Sequence, residues 1–130
     1  MSRTRFGGRA EAVAHLEKAR EFLDAARAAL TARWHNASAS NAVTAGINAK
    51  DALCYALAGR SAAADDHRSA VAELRALGPP AKEAVNAMDR LLGMKDRAQY
   101  DRHSVTAVEA QAAVRRAETL VQAATRVLGQ

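Results

Sequence analysis

Two stretches of the chain carry small or apolar residues at alternating spacings of four and three. Ala12, Leu16, Ala19, Leu23, Ala26 and Leu30 form one series; Ala107, Ala110, Val114, Ala117, Val121, Ala124 and Leu128 form the other. This spacing draws a single stripe along an α-helix, whereas one face of a strand repeats at every second residue. Composition points the same way: 34 of the 130 residues are alanine, against one isoleucine and two prolines. Alanine heads the helix-propensity ranking, and β-branched and aromatic residues favour strands. The 29 larger apolar and aromatic residues suffice for a modest core, with alanine letting helices lie close. A chain of this length is expected to form one domain.

Punctuation between the stripes predicts an all-α, five-helix up-down bundle over residues 10–130, preceded by a loose lead-in at 1–9. The first helix runs from Ala10 to about Arg33. Asn36–Ser40 offers N-cap chemistry to a second helix, which ends at Ala58 before Gly59, a residue suited to the left-handed C′ position. Short connections make this first pair antiparallel. Asp65 or Asp66 caps a third helix marked by Val71, Leu74 and Leu77. Gly78-Pro79-Pro80 ends it and opens a fourth helix carrying Val85, Met88, Leu91 and Leu92. Thr106-x-x-Glu109 is a capping box for the last. Trp34-His35, at the end of the first helix, reads as a cap over the bundle rather than as a base-stacking site, the aromatics being few.

The charge balance is +5, with fifteen arginines and four lysines, which favours polyanionic partners such as RNA. No apolar run approaches the ~18 residues of a membrane span. The opening residues lack the apolar stretch of a secretory signal. A single cysteine, Cys54, excludes an internal disulfide and fits a reducing cytoplasm.

Polar residues on inner stripes mark where chemistry could sit. Thr44, Ile47, Asp51, Cys54 and Ala58 share a helical face, so Asp51 is expected to point inward and pair with a cation, Arg97 being the first candidate. His67 falls on the face of Val71 and Leu74. Lys95 to His103 is the densest polar cluster, with an imidazole, a phenol, carboxylates and guanidinium groups, the parts for proton transfer and phosphate stabilisation. No metal site is expected: there is no Glu-x-x-His, no His-Glu-x-x-His and no second cysteine. No phosphate-binding glycine loop is present, and no cofactor is expected.

The long antiparallel pair, the stretch Ala49-Lys50-Asp51-Ala52-Leu53-Cys54, the Asp66-His67 opening and the cluster Leu91 to Asp101 followed by Val105-Thr106 together resemble the HEPN superfamily. The resemblance spans about Ala12 to Leu128 and looks closest to small actinobacterial-type members. It implies a bundle that dimerises and brings two polar clefts together. It also implies, for many members, metal-independent ribonuclease activity, often as a toxin neutralised by a nucleotidyltransferase-like antitoxin. The superfamily's active motif is Arg, four to six residues, then His. Arg97 and His103 satisfy it just before the last helix, although Arg9 with His15 and Arg60 with His67 satisfy the spacing too. Ala98 stands where the commonest active form has Asn or Asp, and Tyr100 precedes His103 rather than following it. The expected roles are His103 as acid or base, Arg97 as phosphate stabiliser, Asp51 orienting Arg97, and Tyr100 contacting phosphate or leaving group. The alternative is a non-catalytic dimeric module binding RNA, a nucleotide or a partner protein through the same cleft.

Overall fold

The structure, a computed structural model, describes residues 4–62, 66–95 and 102–130. Five long helices are described: α1 (Arg9–Thr31), α2 (His35–Ala58), α3 (His67–Ala76), α4 (Lys82–Gly93) and α5 (Ala107–Leu128). The chain is the all-α bundle its stripes predict. In α1, Ala12, Leu16, Ala19, Leu23 and Ala26 are buried; in α5, Ala110, Val114, Ala117, Val121, Ala124 and Leu128 are. Both stripes close on α2, and α3 and α4 pair beside it. Alanine lines much of these interfaces, so the helix axes approach closely and small misfits in volume are felt.

The expected punctuation is largely in place. Gly59 takes the left-handed conformation (φ 67°) that ends α2. Gly78 also has positive φ (81°), and Pro79–Ala81 forms a single 3-10 turn leading into α4. Thr106 and Glu109 make the reciprocal capping box of α5. Asp66 caps α3, accepting from the Ser69 N–H at 2.7 Å, a bond that holds its carboxyl below the ordinary range.

Three local expectations are corrected. Residues 1–9 are not simply a loose lead-in: Thr4–Phe6 forms a short strand, β1, antiparallel to β2 (Arg60–Ala62), with Arg5 opposite Ser61. Three-residue strands carry no periodicity, and their pairing partner lies far along the chain. The helical break after α1 falls at Ala32–Trp34 rather than at Asn36–Ser40. Here Trp34 N–H bonds Ala29 O at 2.8 Å and Arg33 N–H bonds Leu30 O at 3.1 Å, with Arg33 left-handed at φ 65°. That is a Schellman turn with arginine in the position glycine usually fills. Asn36 and Ser38, read as capping residues, instead serve tertiary contacts: Asn36 Oδ1 accepts from Val105 N–H at 2.8 Å, and Ser38 Oγ donates to Ala26 O at 2.8 Å. Trp34 does not cap the bundle, being 68% exposed. The tight turn leaves its side chain outside the packed helices.

Gly46 marks where α2 meets both α4 and α5. A Cβ there would stand 2.3 Å from Leu91 Cδ2 and 3.2 Å from Leu120 Cδ1, both side chains being fully buried. Alanine in a helix interior is favoured over glycine by about 1 kcal/mol, but overpacking a close-packed core costs about 1–3 kcal/mol. The clash wins, so Gly46→Ala is expected to lower stability by about 1–2 kcal/mol in urea denaturation. Gly93→Ala, where a Cβ meets nothing nearer than 3.9 Å, is the control and is expected to be neutral or slightly stabilising.

Candidate functional site

His103 lies on an exposed segment between the end of α4 and the capping box of α5. Two residues beyond it, the Val105 N–H donates to Asn36 at the start of α2, which ties this segment to the α1–α2 turn. Val105 itself is buried. The bundle thus presents His103, Arg102, His35 and Trp34 at one end. Arg97 and Tyr100, the other sequence-derived candidates, lie outside the described residues, as does any pairing of Asp51 with Arg97.

Asp51 does not accompany His103. It sits fifteen residues beyond Asn36, about 22 Å along α2 at ~1.5 Å per residue. Its side chain is part-exposed at the rim rather than pointing inward. The buried face of α2 runs instead through Ala42, Val43, Gly46, Ala49, Lys50 and Leu53. Its cation is the adjacent Lys50, whose side chain is only 2% exposed. Lys50 Nζ donates to Ala62 O at 2.8 Å, to Ser61 Oγ at 3.2 Å and to Asp51 Oδ1 at 3.3 Å, and pairs with the Glu73 carboxylate. Ser61 Oγ donates to Asp51 at 2.6 Å, and the Ala62 N–H donates to the second Glu73 oxygen at 2.7 Å. One buried ammonium therefore ties together α2, β2 and α3.

Burial by itself would lower the Lys50 pKa, but the Glu73 and Asp51 carboxylates outweigh it and the net direction is upward. The lysine stays charged at neutral pH. Burial dominates at the neighbouring Cys54, outweighing the opposing pull of Lys50 and pushing the thiol up to about 12, which leaves it a poor nucleophile. Lys50 escaped sequence reasoning because the helical phase was taken through Asp51. The signal was available in Gly46, Lys50 and Leu53, spaced by four and three on the face that packs.

His15 and His67 are held by neighbouring side chains. His15 Nδ1 meets Asn48 Oδ1 at 3.0 Å and Asp51 Oδ2 at 3.9 Å, and its ring stacks on Tyr55 with centroids 5.4 Å apart. Arg9, its spacing partner, instead donates to Leu128 O at 2.7 Å at the C-terminus of α5, where a cation complements the helix dipole. His67 is not an inner-face residue: it is 40% exposed and bonds Asp89 at 2.7 Å, on the wall of an open cleft of about 620 Å³ that also takes in Arg68, Val71 and Arg75. Among the described residues, no three His, Cys, Asp or Glu side chains group as metal ligands, and no helix is long and apolar enough to cross a membrane.

A long antiparallel helix pair, a shorter pair beside it and a capped last helix define an all-α bundle. The HEPN domain family model matches residues 12–127, and the chain belongs to the HEPN family. Domains of this family commonly dimerise and bind RNA, and many are ribonucleases. No curated protein matches the chain.

Removing the Lys50 charge strands two carboxylates in a poorly solvated place. Lys50→Met is expected to cost about 3–5 kcal/mol, whereas Asp51→Ala, which leaves Lys50 its bonds to Glu73 and Ala62, is expected to cost about 1–2 kcal/mol. Because the folded pKa is raised, the wild-type advantage over Lys50→Met should be full below the ordinary lysine value of 10.5. It should shrink only as pH rises through the folded value. Denaturation midpoints across the pH range check both the order and the sign.

Proposed function

We propose that this protein is a metal-independent endoribonuclease with Arg97 and His103 as its reacting pair, working as a homodimer. What supports the reading is the HEPN family match over residues 12–127 together with the place of His103 directly before α5, apart from the other two Arg–His spacings. Arg9 caps α5 while His15 stacks on Tyr55, and His67 is paired with Asp89 across the α3–α4 cleft. His103 is exposed just before α5, two residues from Val105, which is tied to the core by its bond to Asn36 and followed by the capping box.

In the proposed reaction, His103 accepts the proton of a ribose 2′-hydroxyl or delivers one to the leaving oxygen. The 2′-oxygen bonds to phosphorus, the bond from phosphorus to the 5′-oxygen breaks, and the 5′-oxygen leaves as a hydroxyl. Arg97 neutralises the charge that builds on the phosphate, a task suited to a planar guanidinium. Tyr100 contacts the phosphate or the leaving group. Asp51, committed to Lys50 and Ser61, has no catalytic part in this scheme. By family resemblance the reading extends to a toxin held in check by a nucleotidyltransferase-like antitoxin, acting in the cytoplasm.

Cleavage of a single RNA should survive chelator, leave a 2′,3′-cyclic phosphate on the upstream fragment, and fail on an all-deoxy strand. A positioned general acid–base group is worth ~10²–10⁴-fold, so His103→Ala should lose at least about a hundredfold in rate. Arg97→Ala should fall comparably, while His15→Ala and His67→Ala should retain activity if folded. Equal cleavage by His103→Ala and wild type overturns the assignment. RNA binding without cleavage by either would instead assign the cleft to a non-catalytic module. Light scattering should give twice the 13.8 kDa chain mass.

A further inference from the structure

We propose that Trp34, with Arg33 beside it, is a stacking platform for an unpaired nucleobase of the RNA strand presented to His103. The inference rests on the ribonuclease reading above and adds to it a residue that would contact a base of the bound strand. Four observations carry it.

Trp34 is the chain's one tryptophan, and it is 68% exposed. An indole carries a large apolar area that folding ordinarily buries, so a mostly exposed one on an ordered turn calls for an explanation. The turn is well built. Its two Schellman hydrogen bonds and the Ser38 N–H bond to Trp34 O at 2.8 Å hold the Trp34 backbone between two long helices. The platform is thus presented rigidly, which limits the entropy lost when a base stacks on it.

The residue before it adds strain. Arg33 occupies the left-handed region at φ 65°, where a non-glycine residue costs roughly 1–2 kcal/mol. Glycine would end α1 more stably, and strain of this kind clusters at functional positions. What arginine supplies and glycine lacks is a guanidinium, carried by the exposed residue that precedes Trp34. A cation beside an aromatic face is the combination that holds single-stranded nucleic acid without reading its sequence.

The location completes the argument. Trp34 is two residues before Asn36, and His103 is two residues before Val105, and these two residues share the 2.8 Å hydrogen bond. Backbone reach limits the separation of Trp34 from His103 to no more than about 20 Å. Among the described residues, Arg33, His35 and Arg102 adjoin them in the chain, and the acid Glu109 is occupied in the capping box. The setting is basic, which suits a phosphodiester strand better than an acidic or apolar partner.

The single tryptophan makes the test direct. A mixed-sequence 12-mer with 2′-O-methyl riboses cannot be cleaved through its own 2′-oxygen, yet can stack. Titrated into the wild-type protein it should quench the indole emission saturably, and the same strand annealed to its complement should quench far less. By anisotropy of the labelled 12-mer, Trp34→Ala should bind about ten- to a hundredfold more weakly, with Trp34→Phe recovering part of the loss. His103→Ala should quench as wild type does. Cleavage of ordinary RNA is scored separately, so failure of the ribonuclease assignment and failure of the stacking platform are told apart. Equal affinity of Trp34→Ala and wild type overturns the proposal. So does an emission that ignores the strand but shifts blue with rising protein concentration, which would assign the indole to a contact between subunits.

Discussion

The bundle depends on how closely α2 can approach its neighbours. Small residues at Ala39, Ala42, Gly46 and Ala49 bring the backbones of α1, α4 and α5 against it, and the larger Leu16, Leu53, Leu91 and Leu120 fill what remains. Each alanine contributes little apolar area, so stability comes from many close contacts rather than from a few large side chains. Such a core has little tolerance for added volume at the crossing points.

Against this mostly apolar interior, the buried Lys50 is costly to desolvate and is retained only because its partners converge from three elements. Glu73 arrives from α3, and Ser61 and the Ala62 carbonyl arrive from β2, so the ammonium acts as a keystone for the short pieces that do not share the long helical stripes. A hydrophobic residue of similar size could fill the space, but it would orient none of these groups. The chemistry proposed for RNA would use His103, near the other end of α2, where the described residues 102–104 are exposed.

What the sequence disclosed follows from the range of the forces involved. The stripes of α1 and α5, Gly59, Gly78-Pro79 and the Thr106–Glu109 box are local signals, each deciding a helix or its end within a few residues, and all were legible. The phase of α2 was not, because alanine and small polar residues surround it on nearly every side and blur the contrast between faces. Asp51 was therefore read inward and Lys50 overlooked. Asn36 and Ser38 looked like caps because their preference for caps is strong, whereas here their partners are Val105 and Ala26, 69 and 12 residues away. The exposure of Trp34 depends on a turn closed by an arginine in a glycine position, which propensity does not anticipate. Within the candidate site, the Arg97–His103 spacing was visible in the sequence, but so were two others, and position just before the last helix, not spacing, set this pair apart.

The short ribbon between Thr4–Phe6 and Arg60–Ala62 bears on a problem peculiar to alanine-lined helices. Two such helices offer nearly the same relief after a slide of about seven residues, two turns along, so shape alone indexes them poorly. In this chain the sliding pair is pinned at both ends. The Schellman turn fixes α1 to α2 at one end, and the ribbon joins the start of α1 to the end of α2 at the other, with the Ser38 bond to Ala26 as an intermediate mark. Six residues of strand thus act as a vernier stop. They add little area, but they convert a near-degenerate set of helix alignments into one, and with it hold Ser61 and Ala62 opposite Lys50.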